Sequence, residues 1–482
     1  MKKLQFVSFL LFVSFLSSCD NDDNVRIPSS LEVQDFIWKG LNLYYYWQED
    51  SPDLSDNRFE TQNQLNNFLT GYPQPESLFE YLLVDRTTDR FSIIFNDYQQ
   101  LEEILQGTAQ SNGVDYQLYE KNPGSEDVFG FVRYILPNSD AADKNIKRGD
   151  IFYAVNGISI TKSNYSGLLG SNSYTLNMAD YSGGNIVPNG ESVMLTKSNY
   201  SENPIYYSDT YTYDDKKIGY LMYNGFYSAY DNQLNQVFGQ FQSQGITHLI
   251  VDLRYNSGGS VTSATRLASM ITGQYNGQVF AKQEWNQKVT DYFNENNPES
   301  LLNRFTNSIG NNNTINNLNL QHLYVITSRS SASASELLIN SLKAYIDITV
   351  IGRTTTGKNV GSITLYDSPD YGTEGRNAKH RYAMQPIVLK ITDKNGNGEY
   401  ASGIAPDVDL PENLADAGII GDVEEPLLAA TIAQILSNGR FMPQQPERVF
   451  IDFKNTKEMR PFGSEMYLDK LPEKLQNIFP LN

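Results

Sequence analysis

The side chains in this 482-residue chain best placed to do chemistry lie in two short segments. The first reads Tyr324-Val325-Ile326-Thr327-Ser328-Arg329-Ser330-Ser331-Ala332-Ser333-Ala334-Ser335-Glu336-Leu337-Leu338. Its apolar run reads as a strand ending at Thr327, and Ala334, Leu337, Leu338, Leu342 and Tyr345 repeat at helical spacing from about Ala334. A serine on such a strand-to-helix turn projects from the sheet. The amides after it point at whatever it attacks, and the helix dipole favours negative charge developing there. That placement suits a nucleophile beside an oxyanion hole. A Ser/Ala-rich run is equally the mark of a tight turn with a capping serine, so the run alone decides nothing. The second segment, Thr354-Thr355-Thr356-Gly357-Lys358, supplies a base. Desolvation of a buried lysine favours its neutral form, which can take a proton from a hydroxyl. One strand-helix-strand step carries both groups. None of the three histidines, His248, His322 and His380, sits in a recognisable motif, and His248 and His322 read as packing residues at strand starts.

Composition narrows the remaining chemistry. Lys and Arg number 37 against 56 Asp and Glu, a net charge of −19, which argues against binding a phosphate backbone. With 24 Phe, 32 Tyr and 3 Trp the chain can build real cores, unlike an acidic disordered chain. The single cysteine excludes a disulfide scaffold and a cysteine-based metal cluster. No metal and no cofactor are expected. Asp393-Lys394-Asn395-Gly396-Asn397-Gly398 imitates the start of a calcium loop, but Ile404 stands where a bidentate carboxylate is required, so a β-hairpin turn is expected.

The N-terminus reads as an address. Lys2 and Lys3 precede a largely apolar run from Phe6 to Leu16, too short to span a bilayer and suited to a signal peptide. Leu16-Ser17-Ser18-Cys19 resembles a bacterial lipobox, which would make Cys19 the lipidated N-terminus of a protein anchored to the outer membrane of a bacterial cell envelope, facing the periplasm or the surface. Residues 1–19 are therefore a lipoprotein signal peptide and 20–29 an acidic tether. Residues 30–107 form a helical cap, in which Leu31, Phe36, Ile37, Leu41 and Tyr44, then Leu78, Tyr81 and Leu82, keep helical spacing.

Short strands and glycine turns dominate 108–205. Phe129 to Leu136 is a strand, followed by Asp140-Ala141-Ala142, Lys147-Arg148-Gly149-Asp150-Ile151 and Val155-Asn156-Gly157. This order resembles a PDZ domain, a module that binds extended C-termini as an added strand. Gly113 and Val114, in Asn112-Gly113-Val114, are the nearest candidates for its carboxylate-binding loop, and the Tyr/Ser/Asn/Gly-rich stretch 164–190 interrupts the module. Strands and helices alternate over 211–440, an α/β layer, with strands at Ile218 to Tyr223, His248 to Leu253, His322 to Thr327, Ile348 to Gly352 and Ile387 to Ile391. The C-terminal extension 441–482 carries no legible motif.

Taken together, the serine run, Gly357-Lys358, Asp252-Leu253-Arg254-Tyr255-Asn256-Ser257-Gly258-Gly259 and Gly403-Ile404-Ala405-Pro406-Asp407 resemble the carboxyl-terminal processing proteases, peptidase family S41. The resemblance covers most of 30–440. It implies a multidomain α/β fold with a helical cap, a PDZ-like domain and a crotonase/ClpP-like peptidase core. It further implies Ser333 as nucleophile, Lys358 as general base, and an oxyanion hole from Ala334 with Gly258 or Gly259. The family often carries glutamine four residues after the lysine to position it; here that place holds Ser362. Asp252 and Arg254 read as structural charges, and Glu336 as a helix cap. The partners implied are protein or peptide substrates held through their C-termini, a lipid bilayer through Cys19, and no nucleic acid. A catalytically inactive peptide- or ligand-binding lipoprotein on the same fold is the rival reading.

Overall fold

The computed structural model describes residues 27–310, 313–437, 439, 443–464 and 466–471; the signal peptide, Cys19 and most of the tether lie outside them. At the centre is a six-stranded sheet in the order Ile205–Tyr213, Lys216–Tyr223, His248–Asp252, His322–Thr327, Asp347–Gly352 and Val408–Asp409. The first pair is antiparallel and the rest are parallel, with Ile250 opposite Tyr324 and Thr327 opposite Gly352. The parallel strands read as continuous apolar runs because both faces are covered. Leu249, Val251, Leu323, Val325 and Val350 are buried in the main core with Leu234, Phe238 and Phe241 of the helix Asp231–Gln244. Ile250, Tyr324, Ile326 and Ile351 pack on the other face with the helix Pro426–Leu436.

Ile387–Thr392, which the alternation places in the same layer, belongs instead to a second six-stranded sheet. There it pairs antiparallel with Val279–Trp285 and with Val360–Ser362, the strand that follows Lys358. The loop after it is closed by Asp393, whose Oδ1 accepts the Asn395 and Asn397 amides at 2.7 and 2.8 Å. No strand follows directly, so the expected hairpin is a side-chain-closed turn.

The cap is welded to this core. Its helix Glu32–Tyr44 buries Phe36, Ile37, Leu41 and Tyr44 as their spacing predicts, and Gly40 approaches Met384 so closely that a Cβ would stand 2.7 Å from its methyl carbon. The strand Ile93–Phe95 pairs with Ala383–Gln385. Tyr81 departs from the expected inward face: it is exposed and donates to Asp53 at 2.8 Å.

The 108–205 region forms a sheet built on Val114–Glu120, Val128–Ile135, Ile151–Val155, Ser173–Ser182 and Asn185–Thr196. Asn156 and Gly157 both have positive φ, 52° and 78°, the backbone that a two-residue hairpin turn requires. The stretch 164–190 does not interrupt the module. It supplies the helix Tyr165–Gly170 and the strand Ser173–Ser182, whose hairpin with Asn185–Thr196 hides alternating apolar positions behind its Tyr, Ser and Asn content. The C-terminal extension is no appendage either. Asp452–Asn455 pairs antiparallel with Val114–Glu120, and Met466–Tyr467 lies parallel to Gly259–Ser260.

The Asp252-Leu253-Arg254 segment is held by charge. Arg254 is fully buried, with Nη2 2.6 Å from Asp252 Oδ2 and Nη1 2.6 Å from Glu425 Oε1. Arg148 joins the cluster from the 108–205 region, 2.8 Å from Glu412 and 2.6 Å from the Tyr255 hydroxyl. Asp252 and Arg254 therefore act structurally, as read. Replacing Arg254→Ala leaves the buried Asp252 carboxylate without a cation and Glu425 with only Arg148, 3.5 Å away, and such losses cost roughly 3–5 kcal/mol. Urea unfolding of the variant should show a loss of that order.

Candidate active site

The helix Ala334–Leu342 starts where its apolar spacing places it, and the turn before it is tied to the neighbouring strand end. Ser331 Oγ donates to the Leu253 carbonyl at 2.8 Å. The Ala332 amide and the Ser335 hydroxyl both donate to the Asn256 carbonyl at 3.1 Å. These ties hold Ser333 at φ 64°, ψ −115°, a backbone conformation that L-residues rarely adopt. Strain of this kind costs on the order of 1–3 kcal/mol and persists where the surroundings over-determine it, as at a nucleophile elbow. Ser333 is 0% exposed. Ser333 and Glu336 form a capping box whose firm half runs from the Ser333 amide to Glu336. The reciprocal contact to the Ser333 hydroxyl falls short of hydrogen-bond geometry, leaving Oγ buried and unpartnered among the described residues.

Glu336 does more than cap. Its Oε2 accepts the Ser333 amide at 2.7 Å and the Lys358 amide at 2.9 Å. Its Oε1 accepts the Gly357 amide at 2.7 Å and the Thr355 hydroxyl at 2.5 Å. One carboxylate thus ties the serine turn to the lysine loop, with both backbone nitrogens on a single oxygen atom. Burial pushes the Glu336 carboxyl above the usual carboxylate range, and the four hydrogen bonds oppose that shift. The Gly403-to-Asp407 segment braces the same loop. Thr355 Oγ1 accepts the Ile404 amide at 2.7 Å, and Asp407 Oδ2 accepts the Val350 amide at 2.8 Å.

Lys358 is 1% exposed and lies under aromatic rings, its Nζ 4.3 Å from the centroid of Phe91 and 5.9 Å from that of Phe462. Nζ donates to the Ser464 carbonyl. Arg90, beside Phe91, donates to the Gly357 carbonyl at 3.0 Å. The cap therefore walls the lysine. Ser362, in the place of the family's glutamine, is fully buried and spends its hydroxyl hydrogen on the Met466 carbonyl at 3.3 Å. The segment Met466–Tyr467 thus lies directly against Ser362.

The glycine loop lies against the serine turn through Asn256. Ala334 supplies the first helical amide, which has no intrahelical acceptor. Gly258 N–H donates to the Asn256 side chain at 2.9 Å, so an oxyanion there must displace Asn256. Gly259 has φ 137°, and a Cβ on it would stand 2.2 Å from the Phe226 carbonyl oxygen. At the Asn112-Gly113-Val114 loop, Ser111 accepts the Gly113 amide at 3.0 Å and Asn112 Oδ1 accepts the Val114 amide at 3.1 Å, which occupies both amides internally.

Sequence reasoning missed the reach of Glu336, the Arg90-Phe91 wall and the C-terminal contacts. The order Ser-x-x-Glu is a capping signature and stopped the reading at the helix. Nothing local marks the other two.

Residues 217–410 match the model described as peptidase family S41, and residues 32–93 match that described as the peptidase S41 N-terminal domain. A Haemophilus influenzae tail-specific protease is 24% identical over 214 residues, 44% of this chain and 27% of its own length. A chloroplastic C-terminal processing peptidase of Tetradesmus obliquus is 23% identical over 335 residues, 66% of this chain and 65% of its own. The chain thus spans less than two thirds of each of these relatives. Among solved structures, a Bacteroides fragilis protein assigned to the S41 proteases superposes with TM-score 0.64 at 26% identity, covering 84% of this chain and 97% of that one.

Only the ionised form of Glu336 accepts all four donors, so protonation should loosen the serine turn and the lysine loop. Because burial raises its folded pKa above the unfolded one, its contribution to stability is full below the unfolded pKa and fades as pH rises through the folded pKa. Activity runs the opposite way. Acidification should cut turnover at a pH above ordinary carboxylate titration, and Glu336→Gln should lower kcat by about 100-fold through misplacement, with KM little changed. A pH–rate profile of both proteins checks this.

Proposed function

We propose that this chain, which belongs to peptidase family S41, is a serine endopeptidase that cleaves unfolded proteins or peptides near their C-termini, with Ser333 as nucleophile and Lys358 as base. The observation that carries the proposal is a strained, buried serine whose hydroxyl has no hydrogen-bond partner among the described residues, tied through one carboxylate oxygen to the loop of a buried lysine. Neutral Lys358 takes the Ser333 proton as Oγ attacks the peptide carbonyl, forming the C–O bond and pushing charge onto the carbonyl oxygen. One Lys358 N–H donated to a backbone carbonyl aims the amine without using its lone pair. Ala334 N–H holds the oxyanion from the helix N-terminus, together with an amide of the Gly258-Gly259 loop. The protonated lysine then passes its proton to the leaving amine as the peptide bond breaks. Water releases the acyl group by the same steps in reverse. No metal or cofactor enters the chemistry.

In this reading the PDZ-like module presents substrate C-termini by strand addition. Cys19 carries the lipid that holds the protein on the outer membrane of a bacterial envelope, facing the periplasm or the surface. Among the described residues no helix is long and apolar enough to cross a membrane. One observation favours the rival reading of an inactive binding protein: Ser333 and Lys358 are both shut away from solvent.

Incubating the protein from residue 20 onward with unfolded proteins and peptides of varied C-termini, with products read by mass spectrometry, decides between them. The unmodified protein should cleave. Ser333→Ala and Lys358→Ala should each lose about 1,000-fold or more, as removal of a nucleophile or its base does. Cleavage that survives Lys358→Ala sinks the dyad, and peptide binding without cleavage supports the rival.

A further inference from the structure

The segment 450–464 with 466–469 makes two engagements that a bound substrate would make. Its strand Asp452–Asn455 adds antiparallel to Val114–Glu120, Lys454 opposite Leu118 and Asn455 opposite Gln117. Thr456 extends the ladder: its amide donates to the Tyr116 carbonyl at 3.0 Å, and its hydroxyl accepts the Tyr116 amide at 2.7 Å. The added strand runs toward the Asn112-Gly113 loop, so its C-terminal direction is that of a C-terminal peptide presented to the loop. Phe453 stands edge-on to Tyr165 of the helix Tyr165–Gly170, 5.1 Å between ring centroids. This is strand addition between a sheet edge and a helix, the way such modules hold peptides.

The second engagement is at the catalytic residues. The Ser464 carbonyl accepts a hydrogen bond from Lys358 Nζ, and the Met466 carbonyl accepts one from the Ser362 hydroxyl. Met466–Tyr467 lies parallel to Gly259–Ser260 beside the glycine loop. Asp469 accepts the Ser260 hydroxyl at 2.5 Å. Between the two ends, the Lys457 ammonium is buried, 2.5 Å from the Asn224 carbonyl and 3.1 Å from that of Tyr255.

We infer that this segment is an internal peptide ligand that holds the centre latent, and that a substrate must displace it and follow the same track. The track is not closely filled. A cavity of about 250 Å³ flanks the segment at Tyr165, Leu169, Tyr174 and Arg460. A second, of about 420 Å³, shares Gln110, Lys197, Met459 and Arg460 with the first and reaches Ser257 and Gly463 beside the glycine loop. Close packing is the rule in protein interiors, so open space beside the strand suits a displaceable occupant. Its position is also sensed at the serine turn. Ser330, three residues before the nucleophile, accepts Asn455 Nδ2 at 3.2 Å and Arg133 Nη1 of the PDZ-like domain at 2.9 Å. The incoming peptide is an extended chain with an aromatic side chain for the Tyr165 site.

The geometry is independent of catalysis; the latency rests on the peptidase reading, and the test separates them. A fluorescent peptide of residues 448–460 is titrated into the full chain carrying Ser333→Ala, alone or with Thr456→Pro or Phe453→Ala. Each tail substitution should tighten peptide capture at least tenfold by vacating the groove. Equal capture with and without them overturns the inference. The same substitutions in chains with Ser333 intact should raise cleavage of an unfolded protein several-fold. Capture that improves while nothing is cleaved keeps the internal ligand and removes the peptidase reading. Cleavage at one rate in all chains, with capture unchanged, does the reverse. Should either variant fold poorly, hydrogen exchange on the unmodified chain gives the second measurement. Excess peptide should speed exchange at 452–456 and leave 128–135 unchanged, and no acceleration at 452–456 overturns the inference.

Discussion

The Glu336 carboxylate accepts hydrogen bonds from the amides of Ser333, Gly357 and Lys358 and from the Thr355 hydroxyl, and the rest of the centre is arranged around it. A serine turn and a lysine loop sit at the ends of adjacent parallel strands, which brings them near but does not register them. Backbone amides bonded to one ionised group acquire a fixed separation, because charge-assisted hydrogen bonds are shorter and stronger than neutral ones. Burying that charge is costly, as the upward push on its titration shows, and four donors offset the cost. Losing one donor would strand part of a buried charge, so the arrangement holds as a unit.

The strained backbone of Ser333 follows from the same ties. Helix propensity would have placed the residue without strain; the Leu253 and Asn256 carbonyls, gripping Ser331, Ala332 and Ser335, do not permit it. Those carbonyls belong to the loop in which Arg254 pairs both with Asp252 and with Glu425 at the start of a later helix. Arg148 carries the same cluster into the 108–205 region. Three regions distant in sequence therefore converge on one turn, and the cap adds a fourth through Phe91 over the lysine.

Much of this was legible in local pattern. The end of the strand at Thr327, the helix start at Ala334 and the burial of Phe36, Ile37 and Leu41 follow from apolar periodicity alone. The Asn156-Gly157 turn follows from backbone permissiveness. Where the reading failed, the reason was equally local. Tyr, Ser and Asn at 164–190 looked like an interruption because hairpin strands with a solvated face alternate polar with apolar residues. Ile387–Thr392 looked like another parallel strand because an apolar run does not say which sheet it joins.

The sequence by itself determined the chemical inventory, a serine on a strand-to-helix turn, a lysine on the next loop and glycines after an Asp-Leu-Arg strand end, because residue type and short-range spacing set what each element is. Only the tertiary structure decided how these are coupled. Glu336 proved to be a hub and not merely a cap because its second oxygen is filled by residues 19 to 21 positions away. Ser464, 106 residues from Lys358, proved to be its neighbour because an edge strand at Asp452–Asn455 and a parallel bridge at Met466–Tyr467 fold that segment back across the site. Contacts of that range depend on where sheets and edges meet in space, and no local window of sequence records it.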